Sequence, residues 1–298
     1  MRVLIATDGS KDAKNAAGWL KELPLPKATS VMVLSVAELP APPVAVLTMK
    51  DLRDAVLADA TRIGEAVKKF LEPRWPAIEL RVSEGDPREE IVRIAEEWGA
   101  NLVVVGARGL GAFKGFLLGS VSMSVVHHAH VPVLVAKGRP RSPERALLAT
   151  DGSENAAAAL RFFLSLEPGD RLKVRLIDVV EPLHFPASAP AMIRARLKAM
   201  LAGVTREKTA EAEGVLKSAE AELQGKVGSV DRAIPVGIPG EEIVREAQDG
   251  GCDLVVVGAR GLGGVKRLVL GSVSEKVLSS AHCPVLVVKQ SKSGKAGG

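Results

Sequence analysis

A chain of 298 residues, 47% hydrophobic and 25% charged, holds enough apolar material for two ordinary globular cores, which excludes a disordered or low-complexity protein. Its net charge of +5 comes from 40 basic residues scattered among 35 acidic ones, with no basic block of the kind that tracks a nucleic-acid backbone, so no nucleic-acid partner is expected. No apolar run approaches the roughly 18 residues of a membrane span, and MRVLIATDGS opens into a strand pattern without a leader; no membrane contact and a cytoplasmic location are expected.

Taken in chain order, short apolar runs alternate with longer periodic ones. Strands are predicted near Val3–Thr7, Val31–Val36, Ile78–Val82, Leu102–Val105 and Val133–Val135, and helices near Asp12–Lys21, Lys50–Leu71, Arg88–Trp98 and Gly119–His128. Uninterrupted runs such as VLIA and LVVV suit parallel strands covered on both faces, and their alternation with helices predicts a doubly wound α/β domain. With aromatics at 3%, the cores must be built from Val, Leu, Ile and Ala.

The order then repeats. VLIATDGS (Val3–Ser10) recurs as ALLATDGS (Ala146–Ser153), and VPVLVAK (Val131–Lys137) as CPVLVVK (Cys283–Lys289). The spacing from Asp8 to Asp151 is 143 residues, while that from Gly106 to Gly258 is 152, so the second copy carries an insertion, placed between Pro182 and Val236. Whether those extra residues, beginning HFPASAPAM, form a lid is left open. The Pro-bearing connector KGRPRSPE divides the chain into domains at 1–140 and 144–290, followed by a tail, 291–298, expected to be disordered.

The chemistry-bearing motif is also written twice: GARGLGAFKGFLLGSVS from Gly106 and GARGLGGVKRLVLGSVS from Gly258, each directly after an LVVV strand. In both, Gly, two residues, Gly, nine residues and Gly-Ser keep their spacing while the residues between vary. Glycines let main-chain N–H groups approach an anion, and the closing Gly-Ser begins a helix whose free N–H groups and dipole favour phosphate. A phosphate cradle is therefore expected in each half.

Strand-TDGS at the start, G-x2-G-x9-G-S after the fourth strand and a closing PVLVV strand resemble the universal stress protein family, in the branch that retains an ATP-binding loop. The resemblance implies a Rossmann-like five-stranded parallel sheet of order 3-2-1-4-5 in each half, with ATP, and Mg2+ through its phosphates, at the switch point between strands one and four. Carried onto this sequence, the phosphate-binding positions are Gly106, Gly109, Gly119 and Ser120, with Gly258, Gly261, Gly271 and Ser272. Val121 with Ser122, and Val273 with Ser274, fall where the family contacts the triphosphate. Asp8 and Asp151 match the acidic residue on the ribose and phosphate side, and Val36 and Val179 the strand end whose main chain reads adenine. Family members that resemble one half dimerise through the last strand, which implies that the two halves pair within this chain as a pseudo-dimer; a further homodimer stays open.

Each position also has a plain structural use. Gly109 suits a turn, and Asp8 suits a helix cap. Arg108 and Arg260 could swing onto phosphates or face solvent, whereas Lys114, Lys266 and Arg267 read as helix-face charges. His127, His128 and His130 stand at a helix end, where imidazoles suit the last carbonyls, and no metal site is expected. Cys252 and Cys283 read as reduced core thiols. There is no GxxxxGK[ST], GxSxG, HExxH or kinase set, so the chain reads as an ATP-dependent binding or signalling module in the stress response, acting on an unknown protein partner and at most a weak ATPase. The alternatives are a slow ATPase or phosphotransferase using Asp8 and Asp151, and a docking module with vestigial sites.

Overall fold

The computed structural model describes residues 1–39, 49–109, 118–182, 191–262 and 270–290, with the backbone alone at 49 and 191–199. Lys114, Lys266, Arg267, most of the HFPASAPAM segment and the 291–298 tail lie outside the described residues.

The apolar runs form the strands. In the first half β1 (Arg2–Thr7), α1 (Lys11–Glu22), β2 (Ser30–Ala37), α2 (Met49–Leu71), β3 (Ile78–Glu84), α3 (Pro87–Trp98), β4 (Leu102–Gly106), α4 (Ser120–His128) and β5 (Val133–Ala136) follow one another. The second half repeats the series as β6 (Arg145–Ala149), α5 (Glu154–Ser165), β7 (Gly169–Ile177), α6 (Ala191–Leu223), β8 (Val227–Ala233), α7 (Pro239–Asp249), β9 (Leu254–Gly258), α8 (Ser272–Ser280) and β10 (Val285–Val288). The insertion goes into α6, which has 33 residues where α2 has 23.

The strands join in one sheet of order β3-β2-β1-β4-β5-β10-β9-β6-β7-β8, so each half has the doubly wound order 3-2-1-4-5. Pairing is parallel within each half and antiparallel where β5 meets β10. There Leu134 lies opposite Leu286, its own counterpart in the repeat, while Val133 faces Val287 and Val135 faces Val285. Equivalent residues facing one another place a local pseudo-two-fold axis through this pair.

Alternation along each strand divides the core between the faces of the sheet. Val3 and Ile5 join Ala16, Trp19, Leu20, Val67 and Leu71 of α1 and α2. Leu4 joins Ile91, Ile94, Val125 and Val126 of α3 and α4 on the other face. Each large side chain so buried contributes roughly 1.5 to 3 kcal/mol by leaving water, which is why β1 and β4, covered on both sides, read as unbroken apolar runs. The helices that follow the strands start at the carboxyl edge of the sheet. Two of them have clear local signals: Ser10 Oγ caps α1 by accepting from the Ala13 N–H at 3.1 Å, and Asp86 caps α3 ahead of Pro87.

Candidate functional site

At the carboxyl edge of β1 and β4 the chain leaves the sheet in opposite directions and opens a cleft of about 510 Å³. Asp8, Val36, Gly106, Arg108, Gly109, Gly119, Ser120, Val121 and Ser122, all selected from the sequence, line it together. The three glycines there have different physical reasons. A Cβ on Gly106 would lie 2.6 Å from the Asp12 carbonyl carbon and 2.7 Å from the Ala13 nitrogen, so this glycine lets α1 pack onto β4. A Cβ on Gly109 would lie 2.6 Å from Asp8 Oδ2, so the second glycine leaves room for that carboxylate. Gly119 is the N-cap of α4 and gives the helix start no side-chain hydrogen bond.

That bare start is the chemically open part of the cleft. The N–H of Gly119 donates to the Ala107 carbonyl at 2.7 Å, which fixes the turn. The first-turn N–H groups of Ser120, Val121 and Ser122 carry no side-chain cap, and the helix dipole adds partial positive charge at the same place. The Ser122 hydroxyl is committed elsewhere: it donates to the carbonyls of Ala107 at 2.8 Å and Gly119 at 3.0 Å, tying helix to loop root.

Asp8 braces the loop. Its Oδ1 accepts from the Ser10 N–H at 3.0 Å across Gly9, whose φ of +75° only glycine adopts without strain, and Ser10 Oγ reaches the Arg108 carbonyl at 3.3 Å. The Arg108 guanidinium pairs with Asp12 at 2.9 Å.

The second half repeats this geometry. Asp151 Oδ1 accepts from the Ser153 N–H at 3.0 Å, Asp151 Oδ2 from the Leu262 N–H at 2.9 Å, and Ser153 Oγ donates to the Arg260 carbonyl at 3.3 Å. A Cβ on Gly258 would sit 2.7 Å from the Asn155 carbonyl carbon, and one on Gly261 would strike Asp151 Oδ2. Gly271 starts α8 without a side-chain cap, Ser272 and Val273 stand in its first turn, and Ser274 donates to Gly258 at 2.7 Å.

Several cleft residues escaped the sequence reading. Val56, Asp59, Ala60 and Ile63 come from α2 at helical spacing, Ser35 comes from the end of β2, and Asp86 and Arg88 are the N-cap and first turn of α3. The spacing of the α2 residues is a signal that an amphipathic pattern contains, and Asp86 before Pro87 signals a helix start, but neither signal points to the cleft. The halves also differ. Where the first has Ser35 the second has Asp178, and burial, then Asp151, pushes the Asp178 carboxyl up to about 6. The Val179 N–H hydrogen-bonds that carboxyl. Where the first has Asp86, Ile238 starts α7 with no side-chain cap.

The other singled-out residues lie apart from the cleft. His128 Nδ1 is 2.8 Å from the Ser124 carbonyl, and His130 stands 3.2 Å from Glu96. Among the described residues no group of three or more His, Cys, Asp or Glu is arranged to hold a metal. Cys252 and Cys283 are buried free thiols, and burial raises Cys283 to about 12. No described helix is long and apolar enough to cross a membrane.

The family model described as "Universal stress protein family" matches residues 1–137 and again 143–289. The chain belongs to the universal stress protein family. Among curated relatives, the universal stress protein Rv2623 of Mycobacterium tuberculosis is 28% identical over 305 residues, covering 97% of this chain and 96% of the relative. The universal stress protein Mb2028c of Mycobacterium bovis is 28% identical over 310 residues, covering 97% of each. Among solved structures, a universal stress protein from Archaeoglobus fulgidus superposes with a TM-score of 0.64 at 25% identity, covering 97% of this chain and 98% of that one. This universal stress protein is thus a tandem form, with both copies in one chain.

Proposed function

We propose that each half binds ATP, with Mg2+ carried on the phosphates, and that the bound nucleotide acts as a signal to a protein partner in the stress response. The observation that carries this reading is the uncapped start of α4, repeated at α8, standing at the switch point of the sheet beside Gly109 and Gly261, which leave room for the Asp8 and Asp151 carboxylates. A cleft of about 510 Å³ has the size of an ordinary small-molecule site. In this arrangement the N–H groups of Ser120, Val121 and Ser122, and of Ser272, Val273 and Ser274, receive the phosphates, and the strand ends at Val36 and Val179 receive the base. Bound ATP supplies a polyanion that neutralises the two helix starts.

Binding without fast turnover suits the carboxylates. Asp8 and Asp151 accept loop N–H groups, which favours an anchoring role over that of a general base. The two halves pair through β5 and β10 in this reading, so the chain is its own dimer. The test is Gly109→Val with Gly261→Val: each side chain invades the carboxylate beside it. Mg-ATP binding by calorimetry should vanish while the circular dichroism spectrum is retained. Undiminished affinity in the folded double variant would remove the cradle.

A further inference from the structure

Two lysines that the proposed nucleotide chemistry does not use are placed with unusual symmetry. Lys137 follows β5 and is 8% exposed, and its Nζ donates to the carbonyls of Leu278 at 2.5 Å and Ala281 at 2.9 Å, at the end of α8. Lys289 follows β10, and its Nζ donates to the carbonyls of His127 at 2.8 Å and Ala129 at 2.6 Å, at the end of α4. Each cation therefore leaves its own half and caps a helix of the other. These two helices are the ones whose opposite ends form the proposed cradles.

We infer that Lys289 is a positioning residue for the cradle of the first half and Lys137 for that of the second, each cross-capping the helix that starts at the other half's site. This rests on the nucleotide reading above. The physical link is short: nine helical residues span roughly 13 Å, with orphan N–H groups at one end and orphan carbonyls at the other. An ammonium held on the carbonyl end, buried at Lys137 and half-buried at Lys289, favours the helix dipole that an anion favours from the other end. Burial lowers both lysines to about 8, so both carry charge at neutral pH. The arrangement also gives the fusion of two halves a use: Ala129 and Ala281 cap their own helices through the Val125 and Val277 carbonyls, and the carbonyls of His127 and Ala129, and of Leu278 and Ala281, receive the lysine of the other half.

The test uses the full chain in two backgrounds, Gly261→Val to leave the first cradle alone and Gly109→Val to leave the second. Lys289→Met should weaken Mg-ATP at the first site about 3- to 10-fold and at the second less than about 2-fold. Lys137→Met should show the reverse pattern, and Lys289→Arg should restore most of the loss. Amide hydrogen exchange without nucleotide reads the same contact separately: Lys289→Met should speed exchange in α4 and leave α8 unchanged. If ATP binds neither site of the parent chain but exchange follows this crossed pattern, the nucleotide reading falls and the cross-capping stands. If ATP binds and Lys289→Met weakens the second site as much as the first, or Lys289→Arg gives no rescue, or α4 exchange is unchanged, the inference is overturned. Should Lys289→Met fail to fold, Lys289→Gln read by the same crossed pattern decides the matter.

Discussion

The residue that most separates the two clefts is Asp178, which stands where the first half has Ser35. Its carboxyl is half-buried beside Asp151, and burial followed by that neighbour moves it up to about 6. The folded state therefore holds this proton more tightly than the unfolded chain does. The stability linked to it is present below the ordinary carboxylate range near pH 4 and is lost as pH rises through about 6. Asp178→Asn should leave stability nearly unchanged near pH 4 and raise it at pH 7.5, by about 1 kcal/mol after allowance for solvent screening. Thermal melts of both proteins from pH 4 to 8 check this. A difference that stays constant across the range would show that Asp178 is not the titrating group.

At the scale of elements, the decisive joint is the turn from β4 into α4. Ser122, one of two hydroxyls in the GSVS segment, is buried and holds the helix to the loop root through Ala107 and Gly119, leaving the backbone N–H groups to face the cleft. Ser122→Ala should cost about 1 kcal/mol of stability, the ordinary worth of a buried hydrogen bond, measured by urea denaturation. A neutral result would mean that the helix start is fixed by Gly119 alone. This joint also shows what could be read beforehand. The LVVV runs, the TDGS turn and the Gly-Ser helix start lay in the sequence because strand period, turn chemistry and helix onset are local. The meeting of α2 residues Val56, Asp59 and Ile63 with the β2 end depends on how a 23-residue helix crosses the sheet, which is a tertiary fact. So is the Asp178–Asp151 proximity, since the two residues are 27 positions apart and come from different strand ends. The lysine caps depend on pairing across the whole molecule, and no pattern within either repeat announces them.

At the scale of the whole molecule, β5 and β10 carry the consequence of duplication. Val133, Leu134, Val135 and Ala136 are essentially inaccessible, and β10 of the other copy pairs with the first three of them. A half-chain ending at Gly138 would present this strand as an apolar edge, an arrangement that soluble proteins cover. It should form a homodimer by light scattering, and Val133→Lys with Val135→Lys in it should give a monomer or an aggregate. A monomeric, soluble half-chain at high concentration would contradict the pairing.

Under the proposed function, the same symmetry gives one chain two nucleotide sites. The direct measurement is to incubate the purified full-length chain with Mg-ATP, remove free ligand, and release and identify what is retained, with its stoichiometry. The account predicts adenine nucleotide approaching two per chain, recovered mainly as ATP after long incubation, with turnover well below the roughly 1 to 1000 per second of typical enzymes. Recovery of no nucleotide, together with no calorimetric binding at millimolar ATP, would contradict it.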